Sequence, residues 1–246
     1  MSGLVEATGL ALPGRLKETG LTLRPGELTC LVGPNGSGKT SLLHALAGVG
    51  NPEGSVLVAG TDPRGLPPAR RQQLLSYLPA SRDIGWPLTA RDLVALGTPA
   101  GGSEGEVRQV LADLGLAEFA DRRIDRMSTG ERSRVLIARA LVAKPKLLLL
   151  DEPASNLDPY WQLRLMDFLR ASASANAQAM LVAVHDLELA RNYADRLIIM
   201  HEGRIEADGD PEALLSGELI PQIFNIEWSD GRWRPSARRE RPQSSR

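Results

Sequence analysis

Residues 33–41 read "GPNGSGKTS" and set Gly33, Gly38, Lys39 and Thr40 at the spacing G-x-x-x-x-G-K-[ST]. The apolar run "LTCLV" precedes them and the helix-like "SLLHALAG" follows. These residue types suit one task, holding a chain of phosphates. Glycines let successive backbone N–H groups converge on phosphate oxygens, and a helix beginning at the lysine adds partial positive charge. Pro34, Asn35, Gly36, Ser37 and Ser41 complete the loop. Lys39 is expected to reach the terminal phosphates, and Thr40 to ligate Mg2+.

Phosphate chemistry also needs an acid at the end of another buried strand, and "LLLLDEP" at 147–153 supplies two. Asp151 is expected to bind the metal, directly or through water, while Glu152 orients and polarises an attacking water. His185 in "VAVHDLE" follows a further apolar run, from which its side chain can reach a terminal phosphate. A lone histidine at a strand end is usually structural, so its assignment rests on the whole constellation.

Such groups meet only if several strands end side by side. The runs "ELTCLVG", "PKLLLLDEP", "AMLVAVHD" and "DRLIIMHEG" do not alternate, which predicts strands buried on both faces in a mostly parallel sheet flanked by helices. The fold class is therefore α/β. Residues 80–145 read instead as short helices, "TARDLVALG", "GEVRQVLADLG", "LAEFADRR" and "ERSRVLIARALVA", around the Gly-rich "TPAGGSEGE". The expected organisation is a core at 1–79, an inserted helical subdomain at 80–145, the rest of the core at 146–232, and a basic disordered tail at 233–246.

Composition narrows the class further. With 42% hydrophobic and 24% charged residues and a formal net charge of -1, the chain is of ordinary globular type with no bulk nucleic-acid footprint. The single cysteine, Cys30, excludes an internal disulfide and is expected in the core. The start "MSGLVEATG" lacks the pattern of a signal peptide, and no run approaches the roughly 18 apolar residues of a membrane span. Any membrane association must then come through a partner.

The segment "MSTGERSRVLIARAL" at 127–141 resembles the signature motif of ABC ATPases, L-S-G-G-Q. The phosphate loop, "LLLLDEP", "SNLDP" and His185 follow that family's order and spacing, so the resemblance covers nearly the whole chain. It implies a P-loop NTPase core of ABC type with an antiparallel β region and an inserted α-helical subdomain. It also implies ATP and Mg2+, and a second copy packed head to tail. Each ATP would lie between one copy's phosphate loop and Ser128, Thr129, Gly130 and Glu131 of the other. Ser128 would offer a hydroxyl and Gly130 a backbone N–H to the γ-phosphate, while Asp158 sits in the loop crossing the interface. ATP burial would close the pair, and hydrolysis would reopen it.

A single signature and phosphate loop resemble a separate ATP-binding subunit. "SYLP", "LTARDLVALG" and "IPQIFNIEWSDG" look most like ATPases of importers for iron chelates, haem or cobalamin. Implied partners are membrane permease subunits and, indirectly, a substrate-binding protein; no nucleic acid is expected. The implied location is the cytoplasmic face of the membrane, peripheral through the permease. A soluble ABC ATPase of repair, translation or assembly is the alternative.

Three departures from the family pattern stand out. Thr129 and Glu131 replace the signature's first glycine and final glutamine. No aromatic residue precedes Tyr77, so Leu10 or Leu12 is expected to pack on adenine. That substitution gives up stacking of about 1 kcal/mol and loosens discrimination of ATP from GTP. Ala80 in "SYLPASRDIGW" stands where the family carries a glutamine that touches metal and water. Alanine can do neither, so either a neighbour such as Ser81 supplies the oxygen, or water fills the place, or turnover is low.

Overall fold

The computed structural model describes residues 3–81, 87–99, 102–229 and 232–236. In chain order, β1 (Val5–Leu12), β2 (Leu16–Leu23) and β3 (Leu28–Val32) lead into α1 (Lys39–Leu46), β4 (Glu53–Val58), α2 (Pro68–Leu74) and β5 (Leu75–Leu78). Next come α3 (Ala90–Ala95), α4 (Glu104–Asp113) and α5 (Thr129–Leu141). The chain returns through β6 (Leu147–Asp151), α6 (Pro159–Asn176), β7 (Ala179–Ala183), α7 (Leu187–Tyr193), β8 (Arg196–His201) and β9 (Arg204–Gly209). It ends with α8 (Pro211–Leu215), α9 (Leu219–Phe224), β10 (Ile226–Ser229) and β11 (Arg232–Pro235).

The main sheet has the order β5-β6-β7-β3-β8-β9 and is parallel apart from the β8–β9 pair. Every residue of β3, β6 and β7 is buried, which is why their sequences do not alternate. Successive side chains still part to opposite faces. Cys30, Leu148, Leu150 and Val182 meet the helices of 90–141 together with α6 and α7, whereas Leu31, Leu147, Leu149 and Leu181 meet α1 and a second sheet. That second sheet, β2-β1-β4, is antiparallel. In β1 the register shifts between Ala7 and Leu10, at Gly9 with its positive φ of 61°, so Val5, Ala7, Leu10 and Leu12 all point into the core.

Polar side chains fix the helix starts: Thr89 for α3, Ser103 with Glu106 for α4, Asp158 for α6 and Asp186 for α7. The segment "LAEFADRR" forms only a 3-10 turn at Ala117–Phe119, and α2 was not foreseen. The expected disordered tail at 233–246 also needs correction at its start. Residues Trp233, Arg234 and Pro235 belong to β11, whose Trp233 packs edge-on against Trp228 with ring centroids 5.0 Å apart. The Trp233 indole N–H also donates to Glu188 on α7 at 3.2 Å. Residues 237–246 lie outside the described part of the chain.

Candidate active site

The phosphate loop leaves β3 and turns into α1 with Gly38 at the N-cap, at a φ of 103° that side chains rarely tolerate. Gly33 has no room for a side chain either. A Cβ there would stand 2.4 Å from both the Met200 carbonyl and the Ser37 hydroxyl. Around Gly36 the space is open, with nothing within 4 Å of a Cβ position. The Lys39 ammonium folds over the loop, donating to the carbonyls of Gly33 at 2.7 Å and Pro34 at 3.2 Å. Burial pushes its pKa down, and the charges of Glu152 and Asp151 oppose that shift.

Strands β6 and β7 bring the acids and the histidine to the same end of the sheet as the loop. Thr40 Oγ1 donates to Asp151 Oδ2 at 2.8 Å, and Asp151 is fully buried. Burial raises the Asp151 pKa, with the Thr40 hydrogen bond pulling the other way. Glu152 follows with a left-handed backbone, φ 51°, its N–H donating to Ala183 at 3.1 Å. Its Oε1 lies 2.5 Å from His185 Nε2. A non-glycine residue held in that conformation marks a position the surrounding fold dictates.

A cavity of about 310 Å3 opens beside these groups, lined by residues 35–41, Glu152, Gly14 and Arg15. The donor set suits a triphosphate with Mg2+. Thr40 and Asp151 give two hard oxygens, and among the described residues no cluster of three or more His, Cys, Asp or Glu could hold a metal alone. Mg2+ commonly completes such a partial set with water and substrate phosphates.

The signature residues sit elsewhere. Ser128 is the N-cap of α5: its hydroxyl accepts from Glu131 N–H at 3.2 Å, and its own N–H donates to the Glu131 carboxylate at 2.8 Å. Ser128 and Thr129 are exposed, and none of Ser128, Thr129, Gly130 and Glu131 lines the phosphate cavity. A Cβ on Gly130 would lie 3.4 Å from the Asn156 carbonyl, so the segment runs beside the turn leading to Asp158. Asp158 caps α6 by accepting from Trp161 N–H at 3.0 Å.

One expectation is corrected. Leu10 and Leu12 are 0% and 6% exposed, held in the core by the β1 bulge, and neither can pack on a base. Ser81 lines a different cavity of about 470 Å3 between the core and the helical segment, not the phosphate cavity. Ala80 is exposed, and the following residues 82–86 lie outside the described part. Sequence reasoning missed Gly14 and Arg15, whose glycine-containing turn gave the only signal. It also missed Arg134, whose buried guanidinium lies 3.9 Å over the Trp161 ring and donates to the Leu114 carbonyl at 2.7 Å.

The family described as ABC transporter matches residues 16–155. The cobalamin import ATP-binding protein BtuD of Halobacterium salinarum is 36% identical over 224 residues, covering 88% of this chain and 56% of that protein. The chain thus spans little more than half the length of that relative. The hemin import ATP-binding protein HmuV of Mesorhizobium japonicum is 37% identical over 218 residues, covering 82% of each. Among solved structures, an ATP-binding subunit of an ABC transporter superposes with a TM-score of 0.76 at 25% identity, covering 90% of this chain and 93% of that one. A dimeric ATP-binding cassette bound to ADP and Pi gives 0.74 at 24% identity, covering 84% and 98%.

Proposed function

Because the chain belongs to the ABC transporter family as one of its ATPases, we propose that it powers an importer of haem, cobalamin or an iron chelate, acting as a head-to-tail pair. One observation carries the paired site: Lys39, Thr40 and Glu152 line a single cavity that Ser128, Thr129, Gly130 and Glu131 do not reach. A triphosphate held there leaves its outer face to be met by a second copy. Similarity to the cobalamin and hemin import ATP-binding proteins supports the class of cargo.

In this reading Lys39 exchanges its two loop carbonyls for β- and γ-phosphate oxygens. Thr40 and Asp151 would hold Mg2+, which when bound would neutralise charge developing on the phosphates. Glu152 orients the attacking water and takes up its proton, while His185 holds the carboxylate in place and stands near the γ-phosphate. Ser128 and Gly130 from the second copy add a hydroxyl and an N–H, and Asp158 lies in the loop between the two sites.

Among the described residues no helix is long and apolar enough to cross a membrane, and in this reading the stroke passes to a permease. The cavity between core and helical segment, with Arg71, Gln72, Ser81, Gly97, Arg139 and Ala143 in its walls, is a suitable dock for a permease helix. In this reading the chain works at the cytoplasmic face of the membrane, peripheral through the permease. The test is copurification with a membrane permease and ATP hydrolysis stimulated by haem, cobalamin or an iron chelate in vesicles. Copurification with ribosomes or DNA instead would overturn the transport reading.

A further inference from the structure

Two residues from outside the phosphate loop and the acid-bearing strand end complete the cavity wall, Gly14 and Arg15 in the turn between β1 and β2. The turn is closed by Arg15 N–H donating to Leu12 at 3.0 Å, with Gly14 at a φ of 71°. Its backbone is fastened to the phosphate loop through Gly203. Lys17 N–H donates to Gly203 O, and Gly203 N–H to Ser37 O, both at 2.9 Å. The fit is close, since a Cβ on Gly203 would stand 3.3 Å from the Arg15 carbonyl, and one on Gly38 3.4 Å. The Arg15 backbone therefore has a fixed position relative to the loop that holds the phosphates. Its side chain is exposed, and among the described residues no hydrogen bond or ion pair claims it.

A nucleotide bound by its phosphates still needs a surface for its base. Leu10 and Leu12 are buried and no aromatic residue lines the cavity. The geometry points to Arg15 as the platform for the nucleobase, its planar guanidinium stacking on the ring. Guanidinium is flat and weakly hydrated, and it stacks on π faces that an ammonium cannot match. A stacked platform reads the face of a base and not its edge, so adenine and guanine are accepted alike. This role rests on the reading of residues 33–41 as a triphosphate loop.

The test is calorimetric titration of ATP, GTP and inorganic tripolyphosphate into the purified full chain and its variants. Arg15→Ala is expected to weaken ATP and GTP about five- to tenfold and to leave tripolyphosphate unchanged. Arg15→Trp restores ATP binding, whereas Arg15→Lys does not. Equal weakening of ATP and tripolyphosphate by Arg15→Ala, with rescue by lysine, would make Arg15 a phosphate contact and overturn the proposal. So would unaltered ATP binding in Arg15→Ala. Lys39→Ala separates this from the underlying reading. It should weaken all three ligands, and if it weakens none the loop assignment fails and the base platform with it.

Discussion

The phosphate loop and the signature segment each deliver a chain of small residues into the start of a helix, yet the two starts are finished differently. Helix α1 begins at Gly38, with no capping side chain and no acid in its first turn. Helix α5 begins at Ser128, closed by a reciprocal capping box with Glu131. An uncapped start keeps its backbone N–H groups and partial positive charge available to an anion. A capped start has committed two of them, the Glu131 N–H to the Ser128 hydroxyl and the Ser128 N–H to the Glu131 carboxylate. The phosphate loop thus leaves its helix start open to a ligand, whereas the signature segment closes part of its own with a capping box.

The largest test of that contrast falls on the phosphate half. Glu152→Gln should cut ATP turnover by about 10²- to 10⁴-fold while ATP-bound pairs accumulate on size exclusion. Turnover at the wild-type rate would remove Glu152 as the base. Sharing between the halves is tested by mixed pairs carrying Lys39→Ala and Ser128→Arg. With the two changes on opposite chains, one intact site survives and hydrolysis continues at up to about half the normal rate. With both on the same chain, neither site is whole and hydrolysis stops. Equal activity of the two arrangements would show that each chain works alone.

The signature half depends more on side chains for its position. Arg134 stacks on Trp161 of α6 and donates to the Leu114 carbonyl, tying the signature helix to the helix that Asp158 caps. Gly115 makes room for that ring, as a Cβ there would stand 2.3 Å from it. Arg134→Ala should cost about 2–4 kcal/mol in urea unfolding, from the lost stack and unpaired carbonyls. A loss below about 0.5 kcal/mol would show that this tie does not hold the segment.

The two halves were also unequally legible in the sequence. The phosphate loop could be read because its chemistry lies in local backbone spacing, and Asp151 and Glu152 because an unbroken apolar run must end at a sheet edge. The base platform could not. The β1 bulge at Gly9 turns both Leu10 and Leu12 inward, a register that apolar residues on both sides of the glycine conceal. Arg15 becomes visible only when Gly203 fastens its turn to the loop. Trp233 joins a strand because Trp228 pairs with it across the hairpin, a contact that the polar residues around it do not announce. The motif S-x-x-E at 128–131 was present all along as a capping box, and the structure gives that reason for a glutamate in the signature.

The same glutamate supplies the smallest test, in pH. The Ser128 backbone N–H holds the Glu131 carboxyl below its ordinary value of 4.5 against the opposing effect of burial, and the Ser128 side chain and the Arg122 and Arg134 charges add to the depression. A depressed acid contributes stability that is complete above its unfolded pKa and lost as pH falls through the folded value. Glu131→Gln keeps a hydrogen-bond acceptor but no charge. Wild type should therefore exceed the variant by about 0.3–0.5 kcal/mol near neutral pH, a partly exposed helix-start effect. The gap should shrink below about pH 4.5 and vanish at lower pH, read from urea unfolding across that range. A gap independent of pH would assign the cap to geometry alone. Where charge is the cause, the variant should also pair more readily on ATP, because the helix start proposed to meet the γ-phosphate no longer carries an opposing carboxylate.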